Sequence, residues 1–209
     1  MYRLILASES PRRKEIMEQM GINFETIPSH MKEDITREDP SELVKTLASL
    51  KAGEVAARLK YERDNLIIIG ADTVVYHNGH ILGKPRDRDD AVRMLKEISG
   101  DVHNVYTGVS IIIRRTEPDK SNGRDENIVF SVKTQVAVKQ LTMDEIEDYV
   151  DSGEPYDKAG AYAIQGRFGI YIKELHGDYY NVVGFPIARI YEELLDKGIN
   201  IKKFKIDVA

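Results

Sequence analysis

Residues 66–75 read LIIIGADTVV. Aliphatic and β-branched side chains at nearly every position predict a strand that is buried on both faces of a sheet. Asp72 interrupts this run, and a carboxylate there is costly unless it is paired, hydrogen-bonded or bound to a metal. We interpret Asp72 as a metal-binding or general-base carboxylate. The alternative is an aspartate at a point where the strand has already reached solvent, but Val74 and Val75 weaken it.

Further strands and helices are predicted on both sides of this strand. Their order mixes parallel and antiparallel pairings, which favours an α/β fold with one mixed sheet flanked by helices. The predicted strands lie at residues 4–7, 66–75, 81–82, 102–115, 128–141, 169–175 and 201–204, and the predicted helices at residues 11–20, 40–59, 89–99, 143–150 and 185–195. In the second helix, we expect Leu43, Leu47, Leu50 and Ala57 to lie near one face.

Composition narrows the class of protein. With 209 residues, 42% of them hydrophobic and 31% charged, the chain is an ordinary globular protein without a low-complexity linker, so we treat residues 1–209 as a single domain. A net charge of −5 argues against a nucleic-acid polymer as partner, because such binders need a basic face. A small anionic ligand needs only a local cluster of positive groups.

Other features bear on the compartment. There is no cysteine, which excludes disulfides, thiolate metal sites and a cysteine nucleophile. No apolar stretch approaches the roughly 20 residues that span a bilayer. The apolar run after Arg3 is too short for a signal peptide. We therefore expect a cytoplasmic protein that is not associated with a membrane.

The segment 8–13 reads SESPRR and joins a short strand to a helix. Ser10 is a favourable N-cap and Pro11 suits the first helical position. A helix N-terminus, the hydroxyls of Ser8 and Ser10 and the guanidinium groups of Arg12 and Arg13 together suit a phosphate. The alternative is a capped helix whose arginines are solvated.

The segment 79–85 reads GHILGKP and is similar to a phosphate-binding P-loop, but it does not match one. It is one residue short, and Pro85 stands where a serine or threonine would hold magnesium. We reject a P-loop enzyme. Lys84 remains a candidate phosphate-contacting cation, although it could also be a solvated loop lysine.

The segment 154–166 reads EPYDKAGAYAIQG. Its glycines and small residues let backbone approach a ligand closely. Gln165 presents both an amide donor and a carbonyl acceptor. A structural turn without a ligand is the alternative interpretation.

Several ordered blocks together resemble the Maf family of nucleotide pyrophosphatases, from about Leu4 to Leu195. The resemblance rests on LASxSPRR at 6–13, LAxxKA at 47–52, GADTVV at 70–75, LGKP at 82–85, LxxISGxxHxVYTG at 95–108, DKAGAYxIQG at 157–166 and NVVGFP at 181–186.

The resemblance implies an inosine-triphosphatase-like α/β fold with an active-site cleft, a homodimer, and hydrolysis of a nucleoside triphosphate to the monophosphate and pyrophosphate with a divalent cation, Mg²⁺ or Mn²⁺. The segment 157–166 is similar to the dTTP/UTP pyrophosphatases, which implies a role in surveillance of the nucleotide pool. Thymine and uracil present carbonyl acceptors and an N3–H donor, which the carboxamide of Gln165 can match. Two alternatives stay open: a pyrophosphatase for 7-methyl-GTP or another modified nucleotide, and a nucleotide-binding regulator of cell division.

The resemblance also implies roles for individual residues. Asp72 matches the proton acceptor, and Glu33 matches an acidic position that assists the metal beside it. The positions linked to substrate choice are Arg13, Thr73 and Gln165. The positions expected around the triphosphate are Ser8, Ser10, Arg12, Lys51 and Lys84.

Overall fold

One mixed sheet of seven strands runs through residues 2–31, 39–116 and 125–204, the part of the chain that the computed structural model describes. The strands are β1 (Tyr2–Leu6), β2 (Glu25–Thr26), β3 (Asn65–His77), β4 (His80–Leu82), β5 (Val102–Arg114), β6 (Glu126–Val138) and β7 (Ile172–His176). The helices are α1 (Pro11–Gln19), α2 (Pro40–Arg58), α3 (Arg88–Ile98), α4 (Met143–Asp151), α5 (Tyr179–Val183) and α6 (Ile187–Asp196). Within this part of the chain no helix is long and apolar enough to cross a bilayer.

The strand order is β2-β1-β3-β5-β6-β7, with β4 paired to β3. β1 runs parallel to β3, whereas β5 runs antiparallel to β3 along almost its full length. The predicted α/β fold with a mixed sheet and flanking helices is therefore confirmed. The predicted strand at residues 66–75 is β3, and its side chains are almost all buried.

One edge of β3 is uncovered in the middle. Pairing with β1 ends where Leu6 lies opposite Ile69, and pairing with β4 begins where Val75 lies opposite Leu82. Within the described part of the chain, residues 70–74 therefore have no neighbouring strand on that edge, while β5 pairs with them on the other. Asp72 lies at the centre of this gap, which explains how a residue inside a buried strand can reach a ligand.

Two glycines of the sheet set the position of α2. A Cβ atom on Gly70 would lie 2.5 Å from the carbonyl oxygen of Ala48, and one on Gly108 would lie 2.3 Å from the carbonyl carbon of Val44. Only bare Cα atoms allow the helix backbone to come so close to the sheet.

This close approach also decides which face of α2 is buried. Val44, Ala48, Ala52 and Val55 pack against the sheet, together with the predicted Leu43 and Leu47. Leu50 and Ala57, which were expected near the same face as Leu43 and Leu47, are half-buried and exposed, respectively. Helix α2 is apolar on several sides, so its hydrophobic pattern alone does not predict which face packs against Gly70 and Gly108.

The opposite face of β3 packs against the C-terminal helices. Ile67, Ile69 and Ala71 share a buried cluster with Phe185 and Ile190. Side chains alternate between the two faces of a strand. Asp72 therefore points toward α2, whereas Thr73 points toward the C-terminal helices.

The prediction was wrong or incomplete at three places near the C-terminus. The predicted strand at 201–204 is a 3-10 turn at Ile201–Lys203, because the side chain of Asn200 accepts from the amide of Lys202 and starts a helical turn. The strand predicted from residue 169 begins at Ile172, after a 3-10 turn at Arg167–Tyr171. Helix α5 was not predicted.

Candidate functional site

A cleft of about 1190 Å³ opens at the uncovered edge of β3. Its walls come from the start of α1, from α2, from the β4 hairpin, from residues 157–165 and from residues 182–184. The cleft brings together all the predicted site residues that the structure describes: Ser8, Ser10, Arg12, Arg13, Lys51, Asp72, Thr73, Lys84 and Gln165. Glu33 lies outside the described residues.

Asp72 is paired with Lys51 at the floor of the cleft. The ammonium nitrogen of Lys51 lies 2.5 Å from Oδ1 of Asp72, and their side chains are 13% and 9% exposed. Lys51 follows Val44 and Ala48 along the sheet-facing side of α2, so the glycine contacts that position the helix also deliver this lysine to the carboxylate. The prediction placed Lys51 at the triphosphate, and the structure adds a direct contact with the candidate base.

The guanidinium group of Arg13 is held by three elements on the other wall. It donates from Nε to the carbonyl oxygen of Gly184 at 2.8 Å, from Nη1 to Oγ of Ser8 at 2.9 Å, and from Nη2 to Oγ1 of Thr73 at 3.2 Å. Arg13 is 9% exposed although it is charged. Side-chain hydrogen bonds therefore aim its planar group before any ligand arrives.

A buried chain of hydroxyl groups extends behind Arg13. Oγ1 of Thr73 lies 3.0 Å from Oγ1 of Thr107, which donates to the carbonyl oxygen of Asn181 at 2.9 Å. A hydroxyl group has only one proton. Since Thr107 uses its proton on Asn181, Thr73 donates to Thr107 and accepts from Arg13. Thr107 and Asn181 were not predicted as site residues from the sequence, although both stand in the blocks that carry the family resemblance.

The start of α1 lines the cleft. Ser10 occupies the N-cap as predicted, but its side chain makes no capping hydrogen bond. Its amide donates to Oγ of Ser8 at 3.2 Å, which folds the turn before the helix. The first amides of a helix have no partner within the helix itself, and a helix N-terminus of this kind suits an anion.

Arg12 lies across the cleft mouth from Asp157. Nη1 of Arg12 donates to Oδ2 of Asp157 at 3.1 Å, and Nζ of Lys158 lies 2.5 Å from Oδ1 of the same carboxylate. Burial acts to raise the pKa of Asp157, but the hydrogen bonds from Lys158 and Arg12 outweigh it and hold that pKa below its usual range. Two cations and one carboxylate leave an excess of positive charge at the mouth.

Lys84 and Gln165 present exposed side chains to the cleft from opposite loops. Lys84 follows the β4 hairpin, as predicted. Neither side chain makes a hydrogen bond or ion pair to the rest of residues 2–31, 39–116 and 125–204. Both polar groups therefore remain available to a ligand.

The donor chemistry of the cleft fits one divalent cation held jointly by protein and substrate. Among the described residues there is no group of three or more histidine, aspartate or glutamate side chains that could enclose a metal. Mg²⁺ commonly binds through one or two carboxylates together with substrate phosphates, and keeps several waters. Asp72 supplies one such carboxylate at the floor of a cleft lined by phosphate-binding groups.

Comparisons with known proteins identify the family of the chain. Residues 3–197 match the family model described as Maf-like protein. A protein named dTTP/UTP pyrophosphatase from Agathobacter rectalis is 48% identical over 210 residues, which cover 96% of this chain and 100% of that protein. Its namesake from Bacillus cereus is 43% identical over 210 residues, which cover 100% of this chain and 99% of the relative.

Among solved structures, a nucleoside-triphosphatase / dITP/XTP pyrophosphatase from Mycobacterium abscessus aligns with a TM-score of 0.33 at 13% identity, over 66% of this chain and 73% of that one. The sequence matches are much stronger, and they include the segments that build the cleft. The chain belongs to the Maf family.

Proposed function

We propose that this protein hydrolyses dTTP and UTP to the nucleoside monophosphate and pyrophosphate. The observation that carries the proposal is the buried Asp72–Lys51 pair at the gap in the β3 edge, facing Arg13 and the open start of α1 within one cleft. The names of the relatives supply the substrates, and the residues of the cleft supply groups of the required chemistry.

In the proposed reaction, water attacks the α-phosphorus and pyrophosphate leaves. A bond forms between the water oxygen and the α-phosphorus, the bond to the bridging oxygen of the β-phosphate breaks, and Asp72 accepts the proton of the water. Lys51 holds the Asp72 carboxylate in place and, as a cation lining the same cleft, contributes to binding of the triphosphate. A divalent cation, Mg²⁺ or Mn²⁺, held by Asp72 and assisted by Glu33, would neutralise charge on the triphosphate.

The remaining cations of the cleft hold the triphosphate in line for this attack. Arg13 is already aimed by Ser8, Thr73 and Gly184, so binding costs it little side-chain entropy. Arg12, Lys84 and the hydroxyls of Ser8 and Ser10 surround the same volume. The developing negative charge on pyrophosphate is stabilised by these groups.

Gln165 reads the base in this proposal. Its carboxamide can donate to a carbonyl oxygen and accept from the N3–H group of thymine or uracil. Arg13 and Thr73 contribute to substrate choice through their position next to the phosphates. A carboxylate in place of Gln165 would lack the donor and would suit a base with adjacent N–H groups.

A screen of nucleoside triphosphates with added Mg²⁺ or Mn²⁺ tests the proposal, with pyrophosphate release as the measurement. We expect dTTP and UTP to be the best substrates, and Asp72→Asn to lower their turnover by about 10²–10⁴-fold while the fold is retained. Faster hydrolysis of 7-methyl-GTP would favour the modified-nucleotide alternative. Tight nucleotide binding without release would favour a regulator.

We further propose that residues 1–209 work as a single domain in a cytoplasmic homodimer and serve nucleotide pool surveillance. Support comes from family membership and from the single sheet that spans the described residues. Light scattering on the purified protein measures the oligomeric state, and a monomeric mass would contradict the dimer.

A further inference from the structure

The loop at residues 163–167 carries Gln165 at its centre, and it is held at both ends by side chains from outside the loop. The amide of Ala163 donates to the hydroxyl oxygen of Tyr149 at 3.2 Å. The amide of Arg167 donates to Oε2 of Glu154 at 3.2 Å. Tyr149 in turn donates to Oε1 of Glu154 at 2.8 Å, so one connected frame holds both ends.

The tyrosine of this frame is buried in the protein. Tyr149 is 4% exposed, and its ring packs against Phe168, with ring centroids 5.0 Å apart. Burial, followed by the bond to Glu154, raises the pKa of Tyr149, so its hydroxyl keeps its proton at physiological pH. That proton is the one donated to Glu154, which leaves the oxygen lone pairs for Ala163.

Gly166 makes room for this frame beneath the loop. A Cβ atom at Gly166 would lie 2.1 Å from Oε1 of Glu154 and 2.4 Å from its carboxyl carbon. Any side chain at residue 166 would therefore displace the carboxylate from the amide of Arg167. The glycine next to Gln165 is required by the close approach of Glu154.

The selectivity expected of Gln165 needs such a frame. Thymine presents an acceptor at O4 beside a donor at N3, and guanine presents an acceptor at O6 beside a donor at N1. A carboxamide can pair with either edge. Discrimination between the two bases must then come from where the loop places the carboxamide, because the guanine ring system is larger.

We propose that Tyr149 and Glu154 are positioning residues that fix the 163–167 loop and thereby set the preference for pyrimidine over guanine triphosphates. This inference rests on the proposed function of Gln165 as the base-reading residue. Neither residue touches the reacting atoms, and both act through the backbone of the loop.

The first test compares dTTP and dGTP hydrolysis by Tyr149→Phe. We expect the KM for dTTP to rise about tenfold, kcat to stay within about twofold, and the dTTP:dGTP ratio of kcat/KM to fall about tenfold, as loss of one hydrogen bond predicts. Glu154→Gln should give a change in the same direction, because the NH₂ group of glutamine then faces either the Tyr149 hydroxyl or the Arg167 amide, both of which are donors. Equal losses for both substrates would show a merely structural role and overturn the proposal.

Tyr171→Phe is the matched control. Tyr171 also packs against Phe168, with centroids 5.4 Å apart, and its hydroxyl makes no hydrogen bond within the described part of the chain. Its kinetics should match the wild type. In a Gln165→Ala background, Tyr149→Phe should change the dTTP:dGTP ratio less than about twofold, since the carboxamide being positioned is gone. A full effect there would also overturn the proposal.

Failure of the wild type to cleave dTTP would refute the proposed function. Amide hydrogen exchange still tests, in that case, whether Tyr149 and Glu154 hold the 163–167 loop. Tyr149→Phe should speed exchange of the Ala163 amide at least tenfold while exchange in β3 stays unchanged. An Ala163 amide that stays as protected as in the wild type would overturn the frame itself.

Discussion

Lys51 and Asp72 form a nearly buried ion pair in which Nζ lies 2.5 Å from Oδ1. They come from α2 and from the uncovered part of β3, and are held together by the packing of α2 on Gly70 and Gly108. Removing one partner of such a pair loses the attraction between the two charges while the other charge stays desolvated, which costs more than the pair itself contributes.

Lys51→Met should therefore lower the free energy of unfolding by about 3 kcal/mol in metal-free buffer. The double variant with Asp72→Asn removes both charges and should be more stable than the single variant. Urea denaturation followed by circular dichroism measures both. A double variant less stable than Lys51→Met alone would contradict this account of the pair.

Gly108→Ala tests the contact that brings α2 to the sheet. The new methyl group would meet the backbone of Val44, so we expect a loss of about 2–3 kcal/mol in unfolding free energy and lower pyrophosphate release as Lys51 moves away from Asp72. Gly53→Ala is the matched control on α2, because a Cβ there meets nothing within 4 Å.

The control should gain about 0.5–1 kcal/mol, since alanine is favoured over glycine within a helix. Thermal unfolding and steady-state kinetics of the two variants are the measurements. Similar behaviour of the two alanine variants would show that Gly108 is not needed for close packing.

Thr107→Val interrupts the hydroxyl chain behind Arg13. Valine has the shape of threonine but offers Thr73 no acceptor and Asn181 no donor, so we expect a loss of about 1–3 kcal/mol in stability and a higher KM for dTTP. Thr107→Ser keeps the hydroxyl and should retain a KM within about twofold of the wild type, as one hydrogen-bonded network requires. A serine variant as impaired as the valine variant would assign the effect to packing.

The parts of the fold that could be predicted from the sequence are those whose signal is local. Helix α3 repeats apolar residues at helical spacing between charged ones, so the predicted helix at residues 89–99 lies within one residue of the observed Arg88–Ile98 at both ends. The capping box of Thr142 and Glu145 likewise marks the start of α4. In these elements the neighbours along the chain carry the information.

Long-range packing could not be predicted in this way. The buried face of α2 depends on Gly70 and Gly108, which lie far away in the sequence. The access of Asp72 to the cleft depends on where β1 stops relative to β3. For the site, residue types and their order predicted the members of the cleft, whereas the contact between Lys51 and Asp72 and the frame of Tyr149 and Glu154 emerge only from the fold.

We expect the protein to lose stability in mild acid because His103 is buried in its neutral form. It is fully buried beside Tyr162, with Nε2 2.7 Å from the hydroxyl oxygen, and burial, reinforced by the nearby His77, lowers its pKa to about 3 from an ordinary value of 6.5. Between pH 6.5 and about pH 3, His103 is therefore protonated in the unfolded chain but neutral in the folded chain. The contribution of His103 to the free energy of unfolding is therefore fully present above about pH 6.5 and is lost as the pH falls toward 3.

The expected contribution is a loss of about 1.4 kcal/mol on moving from pH 7.5 to about pH 5.5. His103→Gln keeps a polar atom near Tyr162 but does not titrate, so its unfolding free energy should fall less than that of the wild type by this amount. His176→Gln, at an exposed histidine, should behave like the wild type. Denaturant titrations at the two pH values provide the comparison, and parallel pH dependence of wild type and His103→Gln would contradict the neutral, buried state of His103.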